Sequence, residues 1–165
     1  MRLVRADAEL LTAAIAGDRA LASALGHDIV AGWATFTDAL PRTRDALAAA
    51  RADTPWGPRL FLAGEPPELV GWGGFKGPPR DGVVELGYEI AATRRERGLA
   101  TAAVRAMLAE AFDDQHVRAV IAHTLPERNA SNRVLEKAGF GFDTETQDGD
   151  RPVWRFKATR PAHAR

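Results

Sequence analysis

Apolar and polar positions change period several times along the chain, and each change marks an element. Arg2 to Arg5 is long enough only for a short first strand. In DAELLTAAIAGDRALASALG, Leu10, Leu11, Ala14, Ile15, Leu21 and Leu25 recur at helical spacing behind Asp7, a residue type that caps helix starts, so one helix is expected. Asp38 to Ala52 reads as a second helix. RLFLAG, ELVGWGGFKG and GVVELGYEIA are strand-like runs separated by the turn clusters GEPPE and GPPRDG, which predicts an antiparallel meander. GLATAAVRAMLAEAFDD then reads as a helix with Val104, Met107, Leu108 and Ala111 on one stripe, and VRAVIAHTLP as a buried strand. NASNRVLEKAG is a short helix stopped by Gly139, and FGFDTET pairs with RPVWRFKA across QDGD as a hairpin. The order β-α-α-β-β-β-α-β-α-β-β predicts an α/β protein, a mixed sheet with helices packed on its faces.

Composition narrows this further. With 165 residues, 45% of them hydrophobic, the chain can bury one sizeable core, so residues 1–165 are expected to form a single domain. Acidic and basic residues balance at 22 each, which gives no general attraction to nucleic acid or to an anionic membrane. The arginines are spread along the chain rather than gathered into a phosphate-binding patch. Cysteine is absent, so disulfides, thiolate ligands and a cysteine nucleophile are excluded. MRLVRADAELL carries a charge every few residues and no signal-peptide or membrane run, and a cytoplasmic location is expected. His27, His116, His123 and His163 lack metal-ligand spacing, so no metal is expected, and His123 reads first as a satisfied polar residue at a strand end.

One junction carries chemistry. In TRRERGLAT a helix begins at Gly98, leaving its first backbone N–H groups without intrahelical partners and with partial positive charge from the helix dipole. Gly98 allows positive φ or a close approach, Ala100 keeps the second position small, and Arg95 and Arg97 add charge: a pyrophosphate fits there. A Gly-x-Gly-x-x-Gly fingerprint with an acidic residue about 20 positions on, and a Gly-Lys-Ser/Thr loop, are both missing. GWGGFKGPP has glycines suited to tight approach and turning in a hairpin rather than to phosphate. Trp33, Phe36, Trp56, Trp72 and Phe75 are core residues or the lining of a pocket.

With these motifs placed, the chain resembles GNAT-superfamily acyltransferases, in the branch of the RimJ and RimL protein N-acetyltransferases. ELGYEIAATRRERGLATAA is similar to that branch's Glu-x-Gly-Tyr strand and following Arg/Gln-x-x-Gly-x-Gly/Ala loop. HTLPERNASNRVLEKAGF is similar to its Asn-x-Ser helix and Lys-x-Gly-Phe end. The likeness covers roughly Leu69 to Phe142 and implies a mostly antiparallel sheet whose central strands splay around acetyl-CoA, a co-substrate. It also implies that the pyrophosphate meets the amides of Arg97, Gly98, Leu99, Ala100 and Thr101, beside Arg95. The pantetheine arm would pair with the strand edge from Tyr88 through Ile90 to Ala91.

The resemblance makes an amine the acceptor, and a primary amine is mostly protonated at neutral pH, so a base or water must take a proton. Glu85 matches the branch's strand glutamate and is preferred over Glu89, which alternation puts on the same face with Gly87; Leu86, Tyr88 and Ile90 take the other face. The amide near Ile90 is implied as the oxyanion donor. GNAT enzymes usually protonate the departing thiolate with a tyrosine on the last helix, and the matching position here is Leu135. Ser131 or water is left for that task, and a thiol of pKa about 8.5 is a tolerable leaving group without it. Asn129 is a helix N-cap, a CoA contact, or both. The acceptor is a peptide amine or a small molecule, a homodimer is compatible with the likeness, and a silent acyl-CoA-binding domain is the alternative to an enzyme.

Overall fold

The computed structural model describes residues 1–50 and 55–161; Arg51 to Thr54, and with them the expected helix end at Ala52, lie outside the described residues, as does His163. Strand β1 (Arg2–Arg5) leads through Asp7, whose carboxylate accepts from the Leu10 N–H at 2.8 Å, into α1 (Ala8–Ala16). The single N-terminal helix expected from periodicity is in fact two. Gly17 stands at φ 125°, outside helical geometry, and the chain restarts as α2 (Asp18–Leu25). The apolar spacing is shared by both pieces because each packs against the same sheet face. A two-residue strand absent from the expected order, β2 (Asp28–Ile29), precedes α3 (Ala39–Ala50).

The meander is present as β3 (Pro58–Ala63), β4 (Glu68–Phe75) and β5 (Val83–Ile90), paired antiparallel. After a turn of 3-10 helix come α4 (Leu99–Asp113), β6 (Ala119–Thr124), α5 (Ala130–Ala138) and the antiparallel hairpin of β7 (Gly141–Asp148) and β8 (Arg151–Thr159). The strands lie in the order β1-β3-β4-β5-β6-β8-β7, with β2 parallel to the start of β4. The fold is thus the mixed α/β arrangement expected, mostly antiparallel and flanked by helices. Leu11, Leu21, Trp33, Leu40, Leu60, Leu62, Leu69 and Trp72 form one core under α1 to α3. Phe61, Val70, Leu86, Ile90, Val104, Met107, Leu135 and Phe156 form the other under α4 and α5. Each fully buried Leu, Met or Phe contributes about 1.5–3 kcal/mol, so the two cores fix the sheet between rigid layers. The α4 stripe is Ala103, Val104, Met107 and Ala111, with Leu108 half-buried at its edge.

Two features of the sheet matter for function. β4 and β5 lie unusually close: a Cβ on Gly73 would stand 2.3 Å from the Gly87 carbonyl oxygen and 2.8 Å from the Phe61 ring. That is the tight approach read from GWGGFKGPP. The second feature is a gap. β5 and β6 are parallel neighbours only from Val83 to Glu85 against Ala119 to Ile121, although β5 runs on to Ile90 and β6 to Thr124. Beyond Glu85 the two strands diverge, which splays the sheet at its centre.

Candidate active site

The edge of β5 that faces the gap follows from its hydrogen bonding. The Glu85 carbonyl accepts from Lys76 and the Ala91 N–H donates to Val70, so odd-numbered residues spend their backbone groups on β4. The backbone groups of Leu86, Tyr88 and Ile90 therefore face the gap, an open strand edge able to pair with an extended ligand arm. Arg95 closes part of it by donating from Nε to the Ile90 carbonyl at 3.2 Å, leaving the Ile90 N–H on that side. Arg94 ties the following loop down through Glu68, at 2.8 Å from Nε. Arg97 is exposed and makes no side-chain hydrogen bond or ion pair among the described residues.

At the end of this loop α4 begins without a side-chain cap, from Gly98 at φ 74° and ψ 3°. The first intrahelical bond is donated by Ala102 to the Gly98 carbonyl, so the N–H groups of Leu99, Ala100 and Thr101 point out of the helix start. Nothing lies within 4 Å of where a Gly98 Cβ would be, and Glu96 also takes a left-handed φ of 60°. A non-glycine residue held there is strained. Uncapped, open and amide-lined, this end fits an anion such as a pyrophosphate.

α5 flanks the gap from its other side. Asn129 is its N-cap, accepting from the Asn132 N–H at 3.1 Å, so the capping role is filled by a side chain that still has its amide N–H groups. Asn132 carries no signal in the sequence that sets it apart from other helix residues. It is 1% exposed, donates to the Glu127 carbonyl at 2.9 Å, and its Oδ1 has no hydrogen-bond partner among the described residues. A buried acceptor left open on the turn beside the gap is costly unless something fills it. Ser131, one position earlier, stands with its Oγ 2.8 Å from the Tyr88 hydroxyl, so strand and helix meet across the gap through two hydroxyls. Burial pushes the Tyr88 phenol above its ordinary pKa, and the Ser131 hydrogen bond only partly offsets that. Leu135 is fully buried in the core, so no acid occupies its position.

The opposite face of β5 looks into a pocket of about 320 Å³ between the sheet, α3 and the loop before it. Its floor is Trp72 to Lys76 and Gly87 to Glu89, and Phe36, Ala39, Thr43 and Pro58 form the walls. Aromatic residues serve both purposes read from the sequence. Trp33 is core, Trp72 and Phe75 are buried and line the pocket, and Phe36, 70% exposed, stands at its rim.

Glu89 lines this pocket but its oxygens are spent. They accept from Thr35 N–H at 3.0 Å, Phe36 N–H at 3.4 Å and Trp72 Nε1 at 2.6 Å, which pins the Phe36 loop to the sheet. Glu85, two pleats along the same face, is differently placed. Lys76 Nζ at 2.5 Å and His123 Nδ1 at 2.9 Å both meet Oε1, and Oε2 has no protein partner among the described residues. His123 is thus a satisfied strand-end residue, as read from the sequence, and its partner is Glu85. Among the described residues no group of three or more His, Cys, Asp or Glu side chains is placed to hold a metal, and no helix is long and apolar enough to cross a membrane.

Comparison with known proteins bears on this geometry. The family described as an acetyltransferase (GNAT) domain matches residues 1–141. A curated relative, the uncharacterized N-acetyltransferase YjdG of Bacillus subtilis (strain 168), is 27% identical over 143 residues, covering 85% of each chain. Among solved structures, AAC(6')-Ib holding acetyl-CoA superimposes with a TM-score of 0.68 at 21% identity, over 96% of this chain and 92% of that one. A point mutant of the spermidine N-acetyltransferase SpeG of Vibrio cholerae gives a TM-score of 0.67 at 12% identity, over 96% and 95%. At such identities these two structures establish a shared fold.

Proposed function

The chain belongs to the GNAT acetyltransferase family, and from that premise we propose that it transfers the acetyl group of acetyl-CoA directly to a primary amine bound beside it. One observation carries the reading: a single strand, β5, offers an open backbone edge to the β5–β6 gap and the floor of an open pocket on one face. Acetyl-CoA supplies the activated acetyl as a thioester. The Leu99, Ala100 and Thr101 amides, with Arg97 beside them, hold its pyrophosphate at the start of α4. The edge from Tyr88 to Ala91 holds the pantetheine arm, with Asn129 on the facing helix, and the Ile90 N–H donates to the acetyl oxygen as negative charge grows there. Arg95, bound to the Ile90 carbonyl, keeps that amide oriented.

Glu85 takes the proton from the attacking amine. The free Oε2 supports this choice over Glu89, whose oxygens already accept from two backbone amides and an indole. The RimJ/RimL likeness of the β5 motif supports a peptide amine, whereas a pocket of about 320 Å³ with apolar walls supports a small one. Phe36, Pro58, Trp72 and Phe75 are apolar, Glu89 is a carboxylate already held by Thr35, Phe36 and Trp72, and Lys76 is paired with Glu85. This suits a small amine with an apolar body. Glu85→Gln is expected to lower turnover of such an amine about 10²-fold or more while CoA affinity stays within about twofold. Unchanged turnover would move the base role to water.

A further inference from the structure

The chain has three lysines, and one of them stands inside the amine site. Lys76 follows the last residue of β4, and its backbone N–H donates to the Glu85 carbonyl at 2.9 Å, so the two residues lie opposite one another across the strands. Lys76 lines the pocket, and its stem runs along β5: a Cβ on Gly87 would stand 3.8 Å from Lys76 Cε. The stem ends with Nζ 2.5 Å from Glu85 Oε1. Glu85 is also the last β5 residue paired with β6, so this nitrogen stands at the level where the sheet begins to splay. It lies between the amine pocket and the strand edge read as the track of the pantetheine arm. Lys137 and Lys157 are exposed on α5 and β8 and line no part of that pocket.

We propose that Lys76 is an internal acceptor, and that the protein acetylates its own Lys76 Nζ when no other amine fills the pocket. This rests on the acetyl-transfer reading above. An outside acceptor has to bring a primary amine to Glu85, and Lys76 presents one there already, on a half-exposed, flexible stem. Holding the amine beside the base raises its effective concentration far above that of an amine in solution. A lysine is an ammonium at neutral pH, so the ion pair with Glu85 is also the path by which it loses a proton. In the step, Glu85 takes one ammonium proton and Nζ attacks the acetyl carbonyl. The C–N bond forms and the thioester C–S bond breaks. A second nitrogen proton passes through solvent to the departing sulfur, and the third stays on the new amide. Glu85 then returns its proton to solvent, which leaves acetyl-lysine, CoA and one proton. The neutral amide no longer pairs with a carboxylate as an ammonium does, so Lys76 reacts once per chain and His123 remains the partner of Glu85 Oε1.

The test incubates the full chain with acetyl-CoA and no added amine, follows release of CoA, and locates the acetyl group by peptide mass mapping. The expected result is release of one CoA per chain, with Lys76 acetylated about 10²-fold or more faster than Lys137 and Lys157, which report the uncatalysed reaction. The rate per chain should not depend on protein concentration. It should fall about 10²-fold in Glu85→Gln and slow when a small amine substrate competes for the pocket. Lys76→Arg keeps a cation beside Glu85 and should lose the release, with thermal unfolding checked in each variant. If an added amine is acetylated while Lys76 is modified no faster than Lys137 and Lys157, the transfer reading stands and the internal acceptor is overturned. If neither an added amine nor Lys76 takes the acetyl group from bound acetyl-CoA, the transfer reading itself fails and the internal acceptor with it. A rate per chain that rises with protein concentration would also overturn the proposal, because one copy would then be acetylating another.

Discussion

Gly98 is where the cofactor site is most exposed to a single substitution. Its φ of 74° is left-handed, which costs an alanine about 1 kcal/mol and a β-branched residue about 2 kcal/mol. No atom stands within 4 Å of the new Cβ, so the protein itself presents no clash, and Gly98→Val should fold with only that loss. The effect on CoA is larger. A valine side chain projects into the space above the helix start, and a turn relaxed away from positive φ withdraws the Leu99 and Ala100 amides. Losing one hydrogen bond to a charged group costs about 1.5–3 kcal/mol, or roughly 10- to 100-fold in Kd. Calorimetry with CoA, beside a thermal melt of the free protein, separates the two effects. Gly98→Ala should fall between the parent and Gly98→Val in both. A folded Gly98→Val protein that binds CoA as tightly as the parent would refute the placement of the pyrophosphate.

Arg59 is 2% exposed and spends its guanidinium on the carbonyls of Pro55, Gly57 and Pro58 and on Glu110, so Arg59→Met should leave these acceptors unpaired at a cost of about 3–5 kcal/mol. Urea unfolding measures it, and a loss below about 1 kcal/mol would show that water replaces the guanidinium. Tyr88 gives the fold an alkaline sensitivity with a definite sign. Its phenol is held above the ordinary value of 10.0, so as pH rises past that value the unfolded chain loses the proton first and stability falls until the folded phenol ionises. Stability of the parent relative to Tyr88→Phe, measured from about pH 9 upward, should therefore decline; a pH-independent difference contradicts it.

The parts of this site legible in the sequence are those decided within a few residues. Asp7 and Asn129 act as caps because a short acceptor meets an amide three positions on, and Gly98 announces the start of α4 because little else tolerates left-handed φ there. The break at Gly17 is hidden because apolar spacing on both sides serves one sheet face, and periodicity does not distinguish a helix from two helices sharing a partner. β2 is too short to have a pattern. The pairings that give Glu85, Glu89 and Tyr88 their different roles join residues 38, 54 and 43 positions apart, so they depend on the assembled sheet. Alternation correctly puts the two glutamates on one face. It carries no information about which keeps an oxygen free.

The most direct test of the account is a panel of amines incubated with acetyl-CoA and the protein, with release of free CoA followed beside a calorimetric titration of CoA. The panel runs from apolar monoamines through spermidine and an aminoglycoside to a peptide with a free N-terminus. The account predicts CoA binding and release above the uncatalysed rate, fastest with an apolar monoamine and strongly reduced in Glu85→Gln. Binding of CoA with no release for any amine would contradict it and leave an acyl-CoA-binding domain in place of an enzyme.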